Sequence, residues 1–129
     1  DHFAATKDPS LLLAVFSTGP AIRKPFSNLL TETIATFVFM LSIFFIQKGE
    51  VKLGALDALP VSLLVLGIGL SMGGPTGYAI NPARDLGPRI AHAILPIPNK
   101  GGSDWEYAAI PVVGPILGAV LAAMLYSFL

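Results

Sequence analysis

The residues best suited to chemistry fall in one short stretch. Asn81, Pro82, Ala83 and Arg84 stand in a row, followed by Asp85 and then by Arg89. Asn is a strong helix N-cap because its side-chain oxygen accepts an orphan N–H of the first turn. Pro suits the first helical position, where its missing N–H costs nothing. A helix starting there carries about half a positive charge at its N-terminus. If the Asn81 oxygen is the cap, its amide N–H groups stay free to donate to a solute. Glu32 is a second candidate, the lone charge in an apolar run, and it needs a polar partner. This chemistry binds rather than reacts. The chain has no cysteine, and His2 and His92 have no partners at metal-ligand or Ser/His/Asp spacing. An enzyme, a metal site and a cofactor are therefore not expected.

The elements that must position these residues are membrane helices. Of 129 residues, 53% are hydrophobic and 12% charged, against about 25% charged in an ordinary soluble domain. Eight basic and eight acidic residues cancel, so no basic excess exists to hold a nucleic acid. A spanning helix needs roughly 20 apolar residues. Residues 26–47, 58–80 and 107–129 qualify, with Glu32 their only charge. The stretch 81–95 does not: at 1.5 Å per residue such a helix is about 20 Å long, short of a roughly 30 Å hydrocarbon core. It reads as a re-entrant half-helix. Residues 1–25, 48–57 and 96–106 read as loops, and lysines on both sides of the first span leave its orientation open.

Ahead of the half-helix, Gly73-Gly74-Pro75-Thr76-Gly77 is read as unable to continue a helix. Its backbone is expected to run extended, with unpaired carbonyls lining a wet cavity at membrane depth. A row of carbonyl acceptors, free amide donors and a positive helix end suits water or a neutral hydroxyl-rich molecule. The positive end and Arg84 repel cations and protons.

The run from Gly77 to Arg89, GYAINPARDLGPR, resembles the second NPA motif of the major intrinsic proteins, the aquaporins and glycerol facilitators. The resemblance extends through Phe16–Pro20 and Thr31-Glu32 and covers nearly the whole chain. It implies an all-α membrane protein, an aquaporin-like right-handed helical bundle. Within it, this chain is one of two inverted repeats, with three transmembrane helices and one re-entrant half-helix. Helices four, five and six then fall at 26–47, 58–72 and 107–128. The re-entrant loop and half-helix occupy 73–95, entering from outside. Residues 1–25 form an extracellular loop, 48–57 a cytoplasmic one, and 96–106 a further loop.

Asp85, Arg89 and the Pro111-Val112 pair resemble the glycerol branch, where water channels carry small, other or aromatic residues. The resemblance implies a selectivity filter and pore at Gly69, Tyr78, Ala79, Asn81 and Arg84. Gly69 leaves space for a carbon backbone and Arg84 binds hydroxyls. Tyr78 contributes its carbonyl, with its ring a further candidate. Pore support falls to Glu32, Pro82, Ala83 and Asp85. Glu32 accepts from backbone N–H groups of the 73–81 loop, and Asp85 caps helix N–H groups or pairs with Arg89.

The implied activity is passive passage of glycerol, other small neutral solutes and some water, through a homotetramer in a cell membrane, that of a bacterium. A water-selective aquaporin and a broken-helix secondary carrier are the alternatives. The chain begins at Asp1 and holds one repeat, so the N-terminal half of the channel is expected elsewhere in a longer parent. Gly114, Gly118 and Ala122 form a small-residue face for close helix packing. The cluster Phe37, Phe39, Phe44 and Phe45 is expected to face lipid or packing surface.

Overall fold

A computed structural model describes residues 2–49 and 54–129. Asp1, the side chain of His2 and residues 50–53 of the expected 48–57 turn lie outside the described residues. The described residues are helical, without strands. Helices α1 (His2–Ala5) and α2 (Pro9–Ala14) precede the long α3 (Pro25–Lys48). After a 3-10 turn at Gly54–Leu56 come α4 (Leu59–Thr76), α5 (Pro82–Ile94) and α6 (Ile110–Ser127). Three helices, Pro25–Lys48, Gly54–Thr76 and Ile110–Ser127, are long and apolar enough to cross a membrane. With 13 residues, α5 is too short to span.

Three expectations are corrected. Residues 1–25 are not a plain loop. Two short helices lie there, and Asp8 caps α2 by accepting from the Ser10 N–H. Residues 73–76 are not extended but form the last turn of α4. Pro75 in a final turn forfeits a single helical hydrogen bond, and the turn closes on Gly77, whose N–H donates to the Gly73 carbonyl at 2.8 Å. Gly77 takes a left-handed φ of 77°, which an L side chain rarely adopts. The non-helical backbone between α4 and α5 is thus confined to residues 77–81. The start of α6 also shifts, from 107 to Ile110, behind a turn over 105–109.

Helix α6 packs along α3, while α4 also packs on α3 and α5 on α6. The α3–α6 approach depends on the small-residue face. A Cβ at Gly114 would stand 2.7 Å from the Glu32 Cβ, and one at Gly118 would collide with the Thr33 carbonyl. Ala122, on the same face, is fully buried. The small residues therefore serve packing within the chain. Phe44 and Phe45 pack on Tyr126, with ring centroids 5.1 and 5.5 Å apart.

Candidate functional site

The site is built where α3, the 77–81 segment and the start of α5 meet. Glu32 lies inside α3 and is 1% exposed. Its two oxygens accept from the Ala79 N–H at 3.0 Å and the Ile80 N–H at 2.8 Å. Every peptide bond here is trans, so N–H and C=O of one peptide point opposite ways. The Tyr78 and Ala79 carbonyls, which share those two peptides, therefore point away from Glu32. Tyr78 and Ile80 hold left-handed φ values of 41° and 43°. Such a conformation costs of order 1–3 kcal/mol at a bulky residue and persists only under outside constraint. Two charge-assisted hydrogen bonds from a buried carboxylate supply that constraint.

Asn81 starts α5 as its N-cap, with Oδ1 accepting from Ala83 N–H at 2.9 Å and Arg84 N–H at 3.4 Å. Its amide nitrogen donates to no described residue. Pro82 is the first residue of α5 and Ala83 the second. Arg84 is exposed and has no ion-pair partner among the described residues. Arg84 and Asn81 line an open cleft of about 200 Å³ with Phe39, Val65, Tyr78, Ala79 and Ile80. Phe39 thus belongs to this cleft rather than to a lipid-facing or packing surface. Neither Phe39 nor Val65 was singled out from the sequence as lining it.

Gly69 was expected to leave space for a carbon backbone, and the Tyr78 ring is its near neighbour. The space over it is filled by the Tyr78 ring, whose Cζ lies 3.1 Å from the position of an added Cβ. Gly69 and Tyr78 together also line a second open cleft of about 370 Å³, with Ser62, Val65, Leu66 and Leu70.

Behind the cleft, Asp85 and Arg89 form a buried ion pair, with Arg89 Nε donating to Asp85 Oδ1 at 2.8 Å. Arg89 is fully buried, yet all five of its N–H groups find acceptors. Nη1 donates to the Ser103 and Asp104 carbonyls, and Nη2 to the Thr18 carbonyl and Asp85 Oδ2. Asp85 Oδ2 also accepts from the Thr18 N–H at 2.7 Å and hydroxyl at 2.6 Å. The pairing with Arg89 matches the expectation, whereas the N–H that Asp85 caps belongs to the N-terminal segment and not to α5.

This is the architecture of one known family of membrane proteins, and the sequence matches the family model for the major intrinsic proteins over residues 11–126. The chain belongs to the major intrinsic protein family. It is 56% identical to the probable glycerol uptake facilitator protein of Thermotoga maritima over 128 residues, which are 99% of this chain and 54% of that protein. It is 52% identical to glycerol uptake facilitator protein 3 of Lactiplantibacillus plantarum, over 99% of this chain and 53% of that protein. The aquaglyceroporin of Plasmodium falciparum superposes with a TM-score of 0.74 at 30% identity, over 86% of this chain and 48% of its own. The chain thus spans about half the length of the relatives it matches.

Within this major intrinsic protein repeat, sequence reasoning missed three residues that hold α5. Thr18 binds Asp85 across 67 positions of sequence. The Ser103 hydroxyl and His92 Nδ1 share a hydrogen bond of 2.9 Å. Lys100 donates from Nζ to the carbonyls of His92, Ala93 and Leu95, the open C-terminal end of α5. A Lys beyond a helix end is a readable signal for the last of these. Thr18 fell within the resembling stretch Phe16–Pro20 but was given no role, and Ser103 carried no signal. Outside the three helices long enough to span a membrane, Arg23 makes a two-pronged pair with Asp104 at 3.1 and 2.7 Å. Those hydrogen bonds and the Asp104 charge raise the guanidinium above its ordinary range.

Proposed function

We propose that this chain is one wall of a passive pore for glycerol and other small neutral solutes, with some water. The observation that carries the reading is the single cleft on which an exposed Arg84, the Asn81 amide and two Glu32-aligned carbonyls converge. Donors and acceptors in alternation replace the hydration of a polyol, and Phe39, Val65 and Tyr78 offer its carbon side an apolar wall. The positive end of α5 and Arg84 repel cations and protons. The names of the relatives, glycerol uptake facilitators, support the same solute class.

The cleft is open on one side. On this reading a second repeat, the N-terminal half of the channel, closes it, and the complete protein is a homotetramer in the bacterial plasma membrane. The site residues are Tyr78, Ala79, Asn81 and Arg84 in the lumen, with Gly69 beneath Tyr78. Glu32, Pro82, Ala83 and Asp85 act as support. No bond-making step is assigned, and the protein is read as a transporter rather than an enzyme.

Proteoliposomes of the full-length protein test the reading by light scattering. Rapid reswelling in a glycerol gradient, linear in concentration, is expected. Water flux without glycerol entry points instead to a water-selective aquaporin, saturating uptake to a carrier, and charge movement under voltage contradicts neutral-solute passage.

A further inference from the structure

Glycine is a poor helix former, yet α4 carries it at positions 69 and 73 in the turns nearest the cleft. Conformational freedom does not explain either one, since the positive-φ glycines among the described residues are Gly54, Gly77 and Gly101. Four positions apart on a helix, Gly69 and Gly73 lie one above the other, and both face the Tyr78 ring. An added Cβ would meet Tyr78 Cδ1 at 2.7 Å from Gly73 and Tyr78 Cζ at 3.1 Å from Gly69. Close approach is no general feature of the glycines on this helix, because a Cβ at Gly67 would meet nothing within 4 Å.

We propose that Gly73 is a specificity-determining positioning residue: it gives the Tyr78 ring a seat on α4, and this retreat sets the width available to a polyol. The inference rests on the reading of the cleft as a polyol pore wall. The atom that Gly73 accommodates, Cδ1, is near the root of the side chain and not at its flexible end. Tyr78 itself is clamped on both sides, by the Gly77 N–H on the Gly73 carbonyl and by Glu32 on the Ala79 and Ile80 N–H groups. A methyl group at position 73 therefore cannot be absorbed by backbone movement. Relief to an ordinary 3.4 Å from 2.7 Å swings the ring by about 0.7 Å off α4. The ring then advances into the cleft that it shares with Phe39, Val65 and Arg84. Glycerol, with its carbon chain, loses passage before water does.

The test compares glycerol and water flux, per protein reconstituted, in proteoliposomes of the full-length protein. Gly73→Ala is expected to lower glycerol flux about tenfold, the low end of what one methylene does in a tight apolar pocket, while water flux changes much less. Gly73→Ala with Tyr78→Val removes the ring and regains glycerol passage. Gly67→Ala leaves both fluxes unchanged. Should Gly73→Ala not assemble, Gly69→Ala reads the same flux ratio through a milder contact. Equal loss of both solutes, no change in their ratio, or a double variant that stays closed to glycerol overturns the role of Gly73. A wild-type protein that passes no glycerol overturns the pore reading and this inference together. A wild-type protein that passes glycerol beside an unaffected Gly73→Ala overturns the inference alone.

Discussion

Glu32 and Ile80, 48 positions apart in sequence, are joined by a 2.8 Å hydrogen bond from a strained backbone N–H to a buried carboxylate. This bond and its neighbour at Ala79 turn two carbonyls away from α3. Glu32→Gln keeps the shape but replaces one acceptor oxygen with a donor, so one of the two N–H groups is left unpaired. An unpaired buried donor costs about 1–3 kcal/mol. The segment then relaxes from its left-handed angles, and glycerol flux through the full-length protein falls at least about fivefold, the effect of roughly 1 kcal/mol. Light scattering on matched vesicles reads it. Wild-type flux in Glu32→Gln contradicts the alignment role.

Asp85 and Arg89 are both fully buried. Removing one partner of such a pair costs about 3–5 kcal/mol, because the other charge is left uncompensated. Asp85→Asn is expected to show that loss as a lower thermal midpoint in detergent. Adding Arg89→Met removes the stranded charge, so the double variant is less destabilised than the sum of the two single ones. Simple additivity would show that the two side chains act independently.

Lys100 caps the far end of the half-helix, where its charge meets the negative pole of α5. Lys100→Met strips three carbonyls of their donor. Losing about 1.4 kcal/mol of local stability speeds amide exchange over residues 92–100 about tenfold. Exchange mass spectrometry reads this segment. Unchanged protection there rejects the capping role.

Arg23 and Asp104 form the same kind of pair as Asp85 and Arg89, but in solvent, with Arg23 52% exposed. Exposed pairs contribute about 0.2–1 kcal/mol and are screened by salt. Arg23→Gln therefore changes the thermal midpoint little, and less at high salt. A loss as large as that of Asp85→Asn would show that this pair is shielded in the assembled protein.

Asp8 accepts from the Ser10 hydroxyl and N–H, and these bonds hold its carboxyl below the ordinary 3.8. A carboxylate favoured by the fold stabilises α2 above its unfolded pKa, and that contribution is lost as pH falls through the folded value. A carboxyl NMR titration should give a midpoint below 3.8, and Ser10→Ala should raise it. An unmoved midpoint would remove the cap.

Much of this molecule was legible one residue at a time. Residues 26–47 announce a span by length and apolarity, and α3 occupies Pro25–Lys48. Asn81-Pro82 carries both a cap and a helix start within two positions, because N-capping is a local bond between neighbours. Glu32 betrayed its need for a partner because a lone charge in an apolar run is costly wherever the run packs.

Where the reading went astray, a contact that residue types alone do not announce had decided the outcome. Gly73 to Thr76 look like helix breakers in isolation. They stay helical because Gly77 closes the turn and a tyrosine ring, itself turned back by a left-handed backbone, rests on Gly69 and Gly73. Thr18 lies in the resembling stretch Phe16–Pro20 with nothing local to show its partner, yet its backbone and hydroxyl complete the Asp85–Arg89 pair. By itself the sequence determined the membrane class, the spans, the half-helix start and the family resemblance, since length, hydropathy, capping and motif identity are local quantities. Only the tertiary structure decided where the Tyr78 ring lies, which atoms satisfy Arg89, and that Phe39 faces the cleft. Those depend on van der Waals contacts and hydrogen bonds between segments that meet only when α3, α4, α5 and α6 are packed.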